Sequence, residues 1–237
     1  MIFCIVGCVN REVEIDGVTY DLDSAKGEFY YVDYIGPGEN SILYIPDEIK
    51  GLPVQKVGHH AVIGGIYGKI HGRKKVYFPW SITYSPIGNI EYSSEVQYII
   101  SASTSTLIDD HYYITFVVPN LLYNEYIIKT FNAQDNIIPA NISYMFNYTE
   151  APNNGYYFVD LVEETGKLTK PPYEPKRDGY KFVGWYKEAE CTNQWNFETD
   201  TVTIGFDEEG NRIYEEIKLY AKWVKHWTIP AKPNVFR

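Results

Sequence analysis

Apolar residues enter this chain in short runs closed by glycine, proline or asparagine, the pattern of strands joined by turns. Val13-Glu14-Ile15 and Val18-Thr19-Tyr20 flank Asp16-Gly17, a hairpin signal because both turn residues tolerate positive φ, and residues 29–35 form a third run. From Ser41 one phrase recurs. Ile42-Leu43-Tyr44-Ile45-Pro46 is answered by Val76-Tyr77-Phe78-Pro79, by Phe116-Val117-Val118-Pro119 and by Ile137-Ile138-Pro139, with a proline-less copy over 96–101. A proline cannot donate to the ladder, so each phrase predicts a short strand with its proline at an end or an edge. Asn120 is a candidate N-cap for a short helix through about Phe131, and 139–146 predicts another brief helical turn. Ala151-Pro152-Asn153-Asn154-Gly155 carries the clearest linker chemistry and places the domain boundary there.

After that boundary the pattern changes. Pro172 and Pro175 hold an extended entry, Asp178-Gly179 turns the chain, and 180–186 reads as a strand. On a regular strand Tyr180, Phe182 and Gly184 share one face, and Val183 and Trp185 the other. Gly184, set between large aromatics, marks a place where another backbone or ring approaches closely. Residues 201–206 and 212–217 predict a hairpin turning at Asp207-Glu208-Glu209-Gly210-Asn211. Residues 228–237 carry two prolines and no periodicity, which predicts an extended tail, with Trp227 folding back.

Composition narrows the class. Hydrophobic residues at 45% and charged residues at 22% of 237 positions describe a folded protein of one or two domains. The 23 tyrosines favour strands and contact surfaces, and two methionines argue against a helical bundle. A net charge of −10 disfavours nucleic acid and polyanionic surfaces as partners. Cys4, Cys8 and Cys191 make no disulfide framework, and Cys191 reads as an unpaired packing residue. No apolar run approaches the ~20 residues of a membrane-spanning helix.

The residue types that carry catalytic or metal chemistry stand in weak patterns. His59 and His60 follow Val57-Gly58 in a predicted loop, and neighbours on extended backbone point opposite ways, so they make poor joint ligands even with His71 or Asp110 near. Asp109-Asp110-His111 lacks the alternating oxygens of a calcium loop and reads as a turn. Gly64-Gly65-Ile66-Tyr67-Gly68 lacks a following Lys-Ser/Thr and reads as a connector. Glu91 and Glu95 could pair as in a glycosidase, but 31 acidic residues produce such pairs by chance. Asn141-Ile142-Ser143 and Asn147-Tyr148-Thr149 match the glycosylation sequon. Tyr30, Tyr31, Tyr34, Tyr77, Trp80, Tyr84, Tyr92, Tyr98, Tyr112 and Tyr113 fall on or near predicted strands; about two-thirds are expected to fill the core and coat the sheet rather than form an exposed binding strip.

Three resemblances follow from these residues. The stretch 170–186, then Trp195-Asn196-Phe197, then Leu219-Tyr220-Ala221-Lys222-Trp223 resembles the internalin-type B-repeat (Listeria–Bacteroides repeat), a small β-grasp-like module of bacterial surface proteins, here with a hairpin inserted after Phe197. The resemblance makes Gly179, Tyr180, Phe182, Gly184, Trp185, Tyr186, Tyr220 and Trp223 the motif residues of that module. Residues 45–58 and their imperfect echo over 78–88 resemble BspA-type (surface-antigen) leucine-rich repeats, whose periods of roughly 20–29 residues the phrases fit loosely. Ile5-Val6-Gly7-Cys8 resembles a bacterial lipobox without its basic n-region, which makes Cys8 the lipidation site.

The expected fold is mainly β: a truncated lipoprotein signal-like segment (1–9), N-terminal strands with a short leucine-rich-repeat solenoid (10–150), a β-grasp-like B-repeat module (156–227) and a tail (228–237). The expected function is a non-catalytic bacterial cell-surface protein, lipid-anchored or secreted, without cofactor, presenting an adhesion surface to an extracellular protein or glycan. The alternative is a carbohydrate-binding module of a surface polysaccharide-utilisation system.

Overall fold

A computed structural model describes residues 11–23, 26–36, 40–63, 74–82, 97–100, 115–123, 137–213 and 215–226. The chain divides into two compact units, Met1–Ala140 and Asn141–Arg237, and is mainly β. Among the described residues no helix is long and apolar enough to cross a membrane.

In the N-terminal unit, turn chemistry fixes the first hairpin. Asp16 at φ 51° and Gly17 at φ 74° join β1 (Glu12–Ile15) to β2 (Val18–Leu22), the two positive-φ positions of a tight hairpin turn. β3 (Tyr30–Ile35) pairs antiparallel with β2 and parallel with the long β6 (Leu52–Ile63), and β5 (Glu48–Ile49) closes the sheet in the order β1-β2-β3-β6-β5.

The recurring phrases build the second sheet. β4 (Ile42–Tyr44), β7 (Lys75–Phe78), β8 (Gln97–Ile100), β9 (Thr115–Val118) and β10 (Ile137–Pro139) lie side by side in chain order, every pair parallel. One register column holds Leu43, Val76, Phe116 and Ile137, which share a core with Val18, Tyr20, Val32, Val54 and Val57. The next column holds Tyr77, Ile99 and Val117, also buried, with Tyr44 stacked on Tyr77 at 4.7 Å. Burial on both faces explains why these phrases are continuous apolar runs rather than alternations. Pro139 sits on the edge strand, and Pro79 and Pro119 follow directly after their strands.

The C-terminal unit is a four-stranded mixed sheet in the order β12-β11-β16-β13, from β11 (Ile142–Met145), β12 (Tyr156–Asp160), β13 (Tyr180–Tyr186) and β16 (Ile217–Lys225). The central pair β11–β16 is parallel and both outer pairs are antiparallel. Ile142, Tyr144, Leu168, Trp185, Trp195, Val202, Leu219 and Ala221 form its core. Pro171, Pro172 and Pro175 keep the crossover from β12 to β13 out of helix.

Several expectations change here. Residues 151–155 connect β11 to β12 within one sheet, with Asn153, Asn154 and Gly155 all at positive φ, and the units divide instead between Ala140 and Asn141. Pro-Asn-Asn-Gly is turn chemistry, and a tight connection shares it with a linker. The helical turn expected over 139–146 is the end of β10 and the whole of β11. Pro119, not Asn120, stands at the cap position of a 3-10 turn over Asn120–Leu122 with no side-chain cap, and the rest of the helix expected there, 124–131, lies outside the described residues. His59 and His60 lie within β6, not in a loop. The inserted hairpin is shorter than expected: β14 (Gly205–Phe206) pairs with β15 (Arg212–Ile213). Cys4, Cys8, His71, Asp110, the 64–68 glycines, Glu91, Glu95, Trp227 and 228–237 lie outside the described residues.

Candidate interaction surface of the C-terminal unit

Gly179, at φ 73°, makes the turn into β13 without the steric cost a side chain would carry. His226 N donates to Gly179 O at 2.8 Å and Tyr180 N to Arg177 O at 3.1 Å, fixing the strand entry. The register with β16 then slips between Phe182 and Gly184. This bulge corrects the regular alternation expected for 180–186. The extra residue carries Trp185 to the side of Phe182, so their rings lie 5.2 Å apart while Val183 is 42% exposed. Gly184 sits in the bulge at φ 157°, and a Cβ there would stand 2.6 Å from Gln194 Nε2. The close approach expected at Gly184 is therefore made by an amide, not by a ring.

Trp185 is 2% exposed and lies at the centre of a seam of rings. Tyr144 meets it edge-on at 4.9 Å and Tyr157 stacks on it at 5.7 Å. The seam continues from Phe182 to Trp223 at 5.8 Å and from Trp223 to Tyr148 at 6.0 Å. Trp223 Nε1 donates to Phe146 O at 2.5 Å, which orients the indole. Tyr186 is buried, with Lys222 Nζ 4.7 Å from its ring centre, and half-buried Tyr220 faces it in the register of β16. Tyr180 is half-buried and stacks on Arg177, whose guanidinium carbon lies 3.8 Å from the Tyr180 ring and 4.2 Å from the Tyr148 ring.

Buried and turn-forming polar groups lock this frame. Asn141, fully buried, donates from Nδ2 to Val162 O at 2.8 Å and accepts from Val162 N at 2.9 Å. Asn147, at φ 57°, donates to Ala189 O, to Cys191 Sγ and to Ala221 O. Both sequon asparagines are thus committed inside the fold. Glu216 accepts from Ser143 Oγ at 2.7 Å and from Tyr156 OH at 3.2 Å, with Lys218 Nζ 3.2 Å from its other oxygen.

Three carboxylates at the surface, two of them half-buried, hold turns. Glu188 accepts from the Thr192 hydroxyl and from Asn193 N, Asp200 from Asn196 N, and Asp207 from the side chain and backbone of Asn211. These bonds favour the ionised form and hold all three below the ordinary carboxylate range. Half-buried Cys191 is free, and burial pushes its thiol up, the reverse of an activated nucleophile.

The matched segment begins where this unit begins and ends within its last strand. Residues 141–222 match the Listeria-Bacteroides repeat domain. A "Putative membrane protein" of Evansella cellulosilytica is 30% identical over 91 residues, covering 38% of this chain and 12% of that protein. A "Putative Gly-rich membrane protein" of the same organism is 34% identical over 83 residues, covering 35% of this chain and 8% of that protein. The chain thus spans a small part of the length of these relatives.

The sequence singles out neither Arg177 nor Glu216, and marks Asn147 only as a sequon asparagine. Arg177 had a local signal, lying just before the Asp-Gly turn and so able to fold over Tyr180. Asn147 had none, because its partners are 42, 44 and 74 positions away.

Proposed function

We propose that this chain is a non-catalytic part of a bacterial cell-surface protein and presents an interaction or adhesion surface. The observation that carries this reading is the coincidence of the repeat match, 141–222, with a unit that has its own sheet and its own aromatic core. The parallel pairing of its first and last long strands supports a β-grasp-like module. Five parallel strands in chain order support a short solenoid of BspA-type leucine-rich repeats in the N-terminal unit, since such repeats stack one strand on the next. Names of membrane proteins among the relatives support a membrane-proximal setting, for which Cys8 would carry diacylglycerol, with further acyl chains making the anchor stable.

The carbohydrate-binding alternative draws no support from the N-terminal strands. Tyr30 and Tyr77 are buried, and Tyr31, Tyr34 and Trp80 are half-buried, so the described rings form no exposed row. Treating intact cells with a membrane-impermeant biotin reagent tests the reading. The chain should be labelled before lysis; labelling only after lysis refutes the surface assignment. Feeding labelled palmitate should mark the wild type and not Cys8→Ser. Equal labelling of both, or of neither, removes the lipid anchor and leaves the surface reading intact.

A further inference from the structure

Arg177 lies over two tyrosines, its guanidinium carbon 4.2 Å from the centre of the Tyr148 ring and 3.8 Å from that of Tyr180. A guanidinium has five N–H donors in one plane. Here two rings pack against that group, while no carboxylate or carbonyl among the described residues accepts from its N–H donors. The side chain is therefore already ordered, and much of the entropy cost of forming a two-pronged hydrogen bond has been met before any ligand arrives. Lys176 and Lys181 are exposed near it in sequence and on β13, and neither forms an ion pair. Lys225 stands opposite Tyr180 in the strand register.

We propose that the Tyr148–Arg177–Tyr180 stack is a receptor for the carboxylate of an acidic sugar at the end of a largely neutral glycan. A carboxylate is planar and matches the guanidinium fork with two parallel N–H···O bonds. The half-buried rings of Tyr148, Tyr180 and Trp223 give the sugar ring apolar edges to lie along. A single carboxylate also suits the charge. The chain carries −10 overall, which opposes a polyanion, but at physiological salt distant charges are screened beyond ~8 Å, so a single carboxylate feels the guanidinium it touches more than the net charge of the chain.

An acidic peptide added along the strand edge fits less well. Along β13 and just past its end, Tyr180 N is bonded to Arg177 O, Trp185 O to Trp195 N and Lys187 N to Asn193 O, so no long run of edge groups is open to a peptide backbone. This inference rests on the surface reading above, because the glycan must be outside the cell.

The test is NMR titration of the full chain with sialyllactose, with lactose and a blocked glutamate peptide as controls. Sialyllactose should shift the ring resonances of Tyr148 and Tyr180, lactose should not, and the peptide should bind more weakly. Arg177→Lys keeps the charge but loses the fork, and should weaken binding about tenfold, the loss expected for one charge-assisted hydrogen bond. Lys181→Gln, on the exposed flank, should weaken it about twofold and reduce its salt dependence. A thermal melt of each variant verifies folding.

No shift with sialyllactose, equal shifts with lactose, tighter binding of the peptide, or full affinity in folded Arg177→Lys each overturns the proposal. Failure of binding in a chain that labels on intact cells removes this inference alone; binding by a chain that labels only after lysis removes the surface reading alone.

Discussion

Replacing Trp185 by alanine perturbs the C-terminal unit in the middle of its ring seam. The indole is 2% exposed and touches Tyr144, Tyr157 and Phe182 with centroids 4.9, 5.7 and 5.2 Å away. Truncating a large buried aromatic costs ~3–5 kcal/mol, through lost transfer energy and the cavity left behind. The bulge at 182–184 is shaped to present this ring, so the site has little freedom to collapse around the gap. Domains are stable by only ~5–15 kcal/mol, so the change removes a large part of the unit's margin.

Hydrogen exchange of the β11 and β16 amides in the full chain reads that margin for this unit alone. At 1.4 kcal/mol per decade, Trp185→Ala should speed exchange of the slowest amides by roughly two to three and a half orders of magnitude. Trp185→Phe keeps a ring in the seam and should fall well short of that. Unchanged exchange in Trp185→Ala would refute the claim that the ring seam holds the unit together.

Three further outcomes follow from the geometry. Tyr31 donates to Asp21 at 2.9 Å, and burial first, then that bond, push its phenol up to about 12 from 10.0; the folded pKa is raised, so its stabilisation is whole below pH 10 and lost as pH rises through about 12, and Tyr31→Phe should remove that part of the alkaline unfolding curve while the ultraviolet tyrosinate titration loses one tyrosine's worth of absorbance near pH 12. Gly184→Ala should cost about 1–3 kcal/mol in urea denaturation, and adding Gln194→Ala should recover the steric part but not the backbone part. Asn147→Ala removes donors to Ala189 O and Ala221 O and gives up a residue suited to φ 57°, so it should destabilise by about 1–3 kcal/mol in the same assay.

What could be read from the sequence was whatever is local. Asp16-Gly17, Asp178-Gly179 and Asp207–Asn211 turn the chain where their chemistry says, because each depends only on its own φ angles and nearest bonds. The five apolar phrases fall on the five strands of the parallel sheet for a related reason, since a strand buried on both faces is written as an uninterrupted run. Long-range pairing was not legible. Nothing near Ile142 announces that β11 lies against β16, which begins at Ile217, so the turn chemistry of 151–155 reads as a boundary in the sequence. The bulge beside Gly184 was equally hidden, because the slip depends on Gln194 and on the length of β16, neither visible in 180–186. The Arg177 stack needed Tyr148, brought to it by the whole sheet.

The central claim is that the self-contained module starts at Asn141, because β11 is an inner strand of its sheet. Two fragments test it directly, 141–226 and 156–226, compared by urea denaturation and amide dispersion in NMR. The longer fragment should unfold in one cooperative transition with dispersed amides. The shorter should be unfolded, since it lacks β11 and leaves β12 without its partner and β16 with one side open. A folded 156–226, or a 141–226 that shows no cooperative transition, would contradict the account.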